Sequence, residues 1–114
     1  MLREDIVRKI RNKAIPLEKY GMNELCWKKK DVLNLINELM DDNIGIIGGD
    51  VYKLLSDRIE PTYDNWICEQ NETESDREYY SRSKKESLAY INNYELIDDN
   101  ELIVFSLTFT EKFF

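Results

Sequence analysis

Between residues 28 and 41 the apolar side chains Val32, Leu33, Leu35, Ile36, Leu39 and Met40 recur with the period of one helical stripe. A helix of this length is marginal alone in water and needs a surface to bury that stripe against. Asp42 and Asn43 close the segment, and Gly45 follows. Two other segments offer the surface. Ile44-Gly45-Ile46-Ile47-Gly48-Gly49-Asp50-Val51-Tyr52 is β-branched and reads as a buried strand running into a tight turn or bulge at Gly48-Gly49. Residues 102–109 alternate, with Ile103, Phe105, Leu107 and Phe109 on one side and Ser106 and Thr108 on the other, as in a half-buried antiparallel strand. Residues 2–13, with Leu2, Ile6 and Ile10 spaced by four, predict a short amphipathic helix. A further helix is predicted to start near Ser75 or Asp76, either of which can cap it, and to run to about Tyr94. Its inner side is read as Tyr80, Ser87, Leu88, Ile91 and Tyr94. Three helices and about three strands without strict alternation predict an α+β fold, the helices packed on a small, largely antiparallel sheet. With 114 residues, residues 1–114 are expected to form one domain, since two halves would each be too small to hold a core.

The connecting segments are read as irregular. Pro16 and Gly21 bracket one loop, Pro61 and Asp64 flank another stretch, and Trp66-Ile67-Cys68 is a short strand. Residues 69–78, EQNETESDRE, form an acidic polar loop. Residues 102–109 also present an edge at which two chains are free to pair, so self-association is left open.

Several classes of chemistry find no residues to carry them. The chain has no His, and so lacks the usual general base and the commonest metal ligand. Its two cysteines, Cys26 and Cys68, are not spaced as a CxxC pair and read as reduced thiols of a cytosolic protein. Phosphate-binding glycine motifs, nucleophile elbows and calcium loops are missing. Paired carboxylates are the one constellation left, and acidic pairs arise by chance among 23 Asp and Glu. The expectation is a protein that is not an enzyme and uses no cofactor and no metal. The opening MLREDIVRKIRNK lacks the apolar core of a secretory signal, and no apolar run approaches membrane-spanning length. The expected location is the cytoplasm.

The net charge of −7 is unevenly placed. Residues 1–37 hold nine basic and five acidic side chains, residues 38–78 hold three and twelve, and residues 79–114 hold four and six. The acidic middle argues against binding to nucleic acid or an anionic membrane and suits a basic protein partner, which such a field steers at high on-rate. Tyr63 and Trp66 lie among these acids, and an aromatic anchor within a polar rim is the composition of an interface hot spot. Trp66 is either such an anchor or a core residue. The partner surface is expected to include Asp57, Glu60, Asp64, Trp66 and Glu69.

Gly48-Gly49-Asp50-Val51-Tyr52, then Glu60-Pro61-Thr62-Tyr63-Asp64-Asn65-Trp66 and Cys68-Glu69, then Ser87-Leu88-Ala89-Tyr90-Ile91 and Tyr94 together resemble the immunity protein 40 family of bacterial polymorphic toxin systems. Gly21, Glu24 and Trp27 match less closely, and the resemblance spans about residues 15–110. It implies a cytosolic α+β protein that binds and neutralises a cognate toxin. Gly48, Gly49, Asp50, Tyr52, Tyr63, Asp64 and Trp66 sit on the matching motif, the glycines as structural members that take positive φ or allow close backbone approach. Charge complementarity points to a basic, nuclease-like toxin domain. The alternative is a small acidic adaptor or regulatory domain unconnected with toxins.

Overall fold

A computed structural model describes residues 3–96 and 102–111. Among them, helix α1 spans Glu4–Arg11, α2 Lys29–Glu38 and α3 Asp76–Asn93. The strands are β1 (Ile15–Pro16), β2 (Leu25–Lys28), β3 (Ile46–Leu54), β4 (Ile59–Ile67), β5 (Leu102–Ser106) and β6 (Thr108–Phe109). Every pairing is antiparallel. The order across the sheet is β1-β2-β5-β3-β4, and β6 also pairs with β3. The fold is α+β, as the apolar patterning predicts.

The helices follow their local signals. Acidic Glu4 and Asp5 open α1 and basic Arg8, Lys9 and Arg11 close it, matching the helix dipole, while Ile6 and Ile10 bury one face. Val32, Leu35 and Ile36 of α2 are buried as the stripe requires, followed by Leu39. Ser75 rather than Asp76 caps α3. Its hydroxyl accepts from the Glu78 N–H at 3.2 Å, and the Glu78 carboxylate accepts from the Ser75 N–H at 3.1 Å, a reciprocal capping box.

The inner face of α3 differs from its expected stripe. Tyr79, Ser83, Lys84, Ser87 and Ile91 are the buried residues, so Tyr80, Leu88 and Tyr94 lie to the side. Two small serines let the helix come close to the sheet. Ser83 accepts from the Ile46 N–H and Ser87 from the Trp66 indole N–H, each at 3.0 Å. Lys84 is 1% exposed, and its ammonium donates to the carbonyls of Leu39 (2.8 Å), Met40 (3.2 Å) and Asp42 (2.7 Å). These carbonyls belong to the turn that follows α2, where those of Leu39 and Asp42 also accept from the N–H groups of Asp42 and Ile44, so a side chain of α3 fastens the end of α2. Burial pulls the Lys84 pKa below its ordinary value, against the pull of Asp42 and Asp41.

Three strand expectations need correction. Residues 102–109 are not an edge: β5 lies between β2 and β3, and the strand is interrupted at Leu107 before β6. The pairing of two chains through that edge is therefore closed off by β2 and β3. Nor is β5 half-buried. Phe105 pairs with Trp27 and Val51 on the helix-covered face, while Val104 pairs with Tyr52 on the other, and both Phe105 and Val104 are fully buried. The second face is covered by Ile15, Leu17, Tyr20 and Met22. Last, the stretch around Pro61 is not irregular but forms most of β4.

The main core gathers Ile6 and Ile10 of α1, Val32, Leu35 and Ile36 of α2, Ile91 of α3, and Trp27, Val51, Trp66 and Phe105 of the sheet. The Trp27 indole N–H donates to the Ile10 carbonyl at 3.1 Å, so the largest fully buried side chain also fastens α1.

Candidate partner-binding edge

The acidic residues singled out by sequence lie on one strand and its flanks. Asp57 is in the β3–β4 turn, Glu60 and Asp64 are on β4, and Glu69 follows β4. The ends of β4 lie opposite Gly48 and Leu54, six steps of about 3.3 Å or roughly 20 Å apart, so these acids form a line and not a cluster. Asp57 and Glu60 both hold Arg58, at 3.1 and 3.2 Å, which offsets part of their charge. Asp64 accepts from the Tyr94 hydroxyl at 2.8 Å. The Glu69 side chain is exposed, and its backbone carbonyl accepts from Arg82 at 2.7 Å.

The middle of β4 carries a bulge. Asp50 pairs with Asn65 and Tyr52 with Pro61, so two steps on β3 match four on β4. Thr62, Tyr63 and Asp64 thus stand opposite Val51 alone. The Thr62 hydroxyl donates to the Val51 carbonyl at 2.8 Å and accepts from the Asp64 N–H at 3.1 Å, which satisfies groups the ladder has lost. Tyr63 is driven to φ +68° and its side chain is 86% exposed. A bulge re-aims side chains in this way, and a non-glycine residue at such φ is strained.

Trp66 points the other way. It is 9% exposed, stacks on Tyr90 with ring centroids 4.7 Å apart, and donates to Ser87. The structure therefore places Trp66 in the core, beneath the edge. Gly48 and Gly49 act by close approach. Neither has a positive φ, while a Cβ on Gly49 would strike the Ser106 carbonyl oxygen and the Trp66 ring. On Gly48 it would strike the Trp66 carbonyl. Asp50 and Tyr52 belong to the sheet's opposite face, where the Tyr52 hydroxyl donates to Glu24 at 3.3 Å. Burial first, then Glu24 and Asp50, raise the Tyr52 pKa and push the Cys26 thiol up to about 12.

Sequence reasoning missed the clamp that fixes the far end of the edge. Arg82 of α3 grips Glu74 through two nitrogens (2.6 and 2.7 Å), Glu86 (2.6 Å) and the Glu69 carbonyl. Cys68 donates to Glu86 at 2.6 Å, and burial with that contact pushes its thiol up to about 11. The Tyr79 hydroxyl donates to the Cys68 carbonyl at 2.6 Å. The Arg82-Glu86 spacing of one helical turn was the only sequence signal for this network. The bidentate Arg82 holds the Glu74 pKa down to about 2 from an ordinary 4.5. A depressed carboxylate contributes stability above its unfolded pKa and loses it as pH falls through the folded value. The clamp should therefore persist as pH falls through 4.5 and open only near 2. A carboxyl-carbon NMR titration should place the Glu74 midpoint near 2, and Arg82→Gln should return it towards 4.5. A wild-type midpoint near 4.5 would show that the clamp does not form in solution.

Elsewhere the chemistry is sparse. Both cysteines are free and buried. Among the described residues, no three His, Cys, Asp or Glu gather as a metal site, and no helix is long and apolar enough to cross a membrane. A cleft of about 450 Å³ between the end of α2 and α3 is lined by Asp41, Asp42, Arg77, Tyr80 and Lys84, but the Lys84 ammonium is already spent on backbone carbonyls.

Helices covering one face of an antiparallel sheet, with a bulged edge strand, define a small α+β domain. The family model for immunity protein 40 matches residues 16–109, from β1 through β6, and the chain belongs to the immunity protein 40 family. Helix α1 precedes the matched span. No curated protein and no solved structure matches the chain.

Proposed function

We propose that this chain is a cytoplasmic immunity protein that neutralises a cognate toxin by holding it against the outer surface of β4. The observation that carries this reading is the bulge at Thr62-Tyr63-Asp64. It spends backbone strain to expose a tyrosine between acidic residues, and such strain persists where function uses it. Tyr63 supplies the aromatic contact, and Asp57, Glu60, Asp64 and Glu69 supply the field. Trp66 supports the surface from below, fixing the strand on α3. The toxin face it meets is basic, of the kind that engages nucleic-acid phosphates, and the acidic line occupies that face in their place. The role is binding, without catalysis, cofactor or metal. Family membership supports the class of function, and the charge distribution supports the surface.

Replacing Asp57, Glu60, Asp64 and Glu69 together by Asn or Gln should leave the melting temperature within a few degrees, because Asp57, Asp64 and Glu69 are exposed and Glu60 is only half-buried. The association rate with the cognate toxin domain should fall about tenfold or more, and the wild-type rate should fall steeply as salt rises. A folded variant whose on-rate and salt dependence equal those of the wild type would make this line of acids an ordinary solvated surface. The toxin would then bind elsewhere.

A further inference from the structure

The reading above names a surface; the backbone of that surface points to how it is used. We propose that the toxin adds a strand to the open side of β4, along Asp64–Ile67, and that this strand carries Lys or Arg. The inference rests on the immunity reading and deepens it.

β4 stands last in the sheet order, and among the described residues no strand pairs with its outer side. The direction of its backbone groups follows from one hydrogen bond. The Cys68 N–H donates to the Ile47 carbonyl at 2.7 Å, in register with the Gly49–Trp66 pair. In an antiparallel ladder these inward positions alternate with outward ones. Cys68 and Trp66 therefore face β3, while the N–H and C=O of Asn65 and Ile67 face solvent. Beside them the side chains of Tyr63 and Ile67 are 86% and 71% exposed, two of the large apolar side chains left on the surface.

The two halves of β4 differ in how they treat a newcomer. The hairpin half carries Pro61, which has no N–H to offer and blunts an edge. The half from Asp64 to Ile67 has no proline and no lysine, and among the described residues no strand covers it. What it does carry is negative charge, from Asp64 and from Glu69 just beyond. That charge selects the occupant. A second copy of this chain would bring two Asp64 and two Glu69 carboxylates into one short ladder, and like charges across strands are destabilising. A strand with Lys or Arg gains from the same charges. Recognition by strand addition draws affinity from main-chain hydrogen bonds and specificity from side chains, which here are Tyr63, Ile67 and the acids.

The test uses the full chain and an eight-residue capped peptide alternating lysine and valine, with a glutamate–valine peptide as control. Saturating lysine peptide should slow amide exchange at Asn65 and Ile67 by about tenfold or more, and the glutamate peptide should not. Asn65→Pro removes an outward N–H and should abolish that binding while the protein stays folded, as an edge tolerates proline there. If that variant does not fold, the wild-type exchange data decide alone. Unchanged exchange at Asn65 and Ile67, or slowing confined to other segments, would overturn strand addition. So would a dimer of the wild-type chain alone that protects the same two amides. Protection of cells from the cognate toxin tests the immunity reading separately. Cells protected while the edge stays unpaired would leave that reading in place and remove only the docking mode.

Discussion

Trp66→Ala should lower folding stability by about 3–5 kcal/mol, the range for emptying a buried aromatic site. The residue is 9% exposed, its ring lies on Tyr90, its indole N–H is held by Ser87, and its flat face closes over Gly49. No neighbour is free to fill the space, because Gly49 has no side chain and α3 is fixed by the serines. Trp66→Phe keeps most of the ring and loses the hydrogen bond, so it should cost about 1–2 kcal/mol. Denaturant unfolding of the two variants measures both. If alanine cost less than about 1 kcal/mol, the ring would not be packed in solution as described. The result matters for function because a Trp at the surface would show the opposite pattern, with normal stability and weakened binding.

The second large effect is expected at Lys84. Methionine there keeps much of the volume but removes the donor to three carbonyls, Leu39, Met40 and Asp42. The Leu39 and Asp42 carbonyls still accept from the N–H groups of Asp42 and Ile44, so what is lost is three hydrogen bonds from a charged donor, at about 2–4 kcal/mol together. The loss should be local in its first signs. Amide exchange should rise at the end of α2 and the start of β3 before the rest of the molecule responds. Unchanged stability in Lys84→Met would mean that water already serves those carbonyls.

Lys84 also marks where sequence reasoning stops. A lysine within a polar helix is read as solvated, and nothing local says that a distant helix end needs a donor. The serines of α3 are similar: Ser83 and Ser87 look like surface residues, yet their small size is what seats the helix on β3 and Trp66. The helices themselves were legible because α1 and α2 carry a periodic stripe and α3 carries a capping signal. Strand β2 was not, because four residues pass directly into α2. The first part of β4 was hidden by its own bulge: Pro61 and Asp64 look like breakers, and only the register with β3 shows the extra residues being absorbed. The alternation of 102–109 identified a strand but not its place, since Val104 is buried by Leu17, which lies far from it in sequence. At the candidate site, the acidic character of residues 57–69 could be read directly. That they share one strand could not, and the Arg82 clamp depends on a partner, Glu74, in a segment with no periodic signal.

The place of β5 has a consequence for when the protein comes into being. Without β5 the sheet is two separate pieces, β1 with β2 and β3 with β4 and β6. The core that gathers Trp27, Val51 and Trp66 then lacks Phe105, and the opposite face lacks Val104. Contacts that join distant parts of a chain are slow to form and leave apolar surface open until they do. A nascent chain that has emerged only as far as α3 therefore lacks the strand that joins β2 to β3. Completion of the sheet waits on the insertion of one five-residue strand, and anything that captured that strand first would leave the two pieces unjoined.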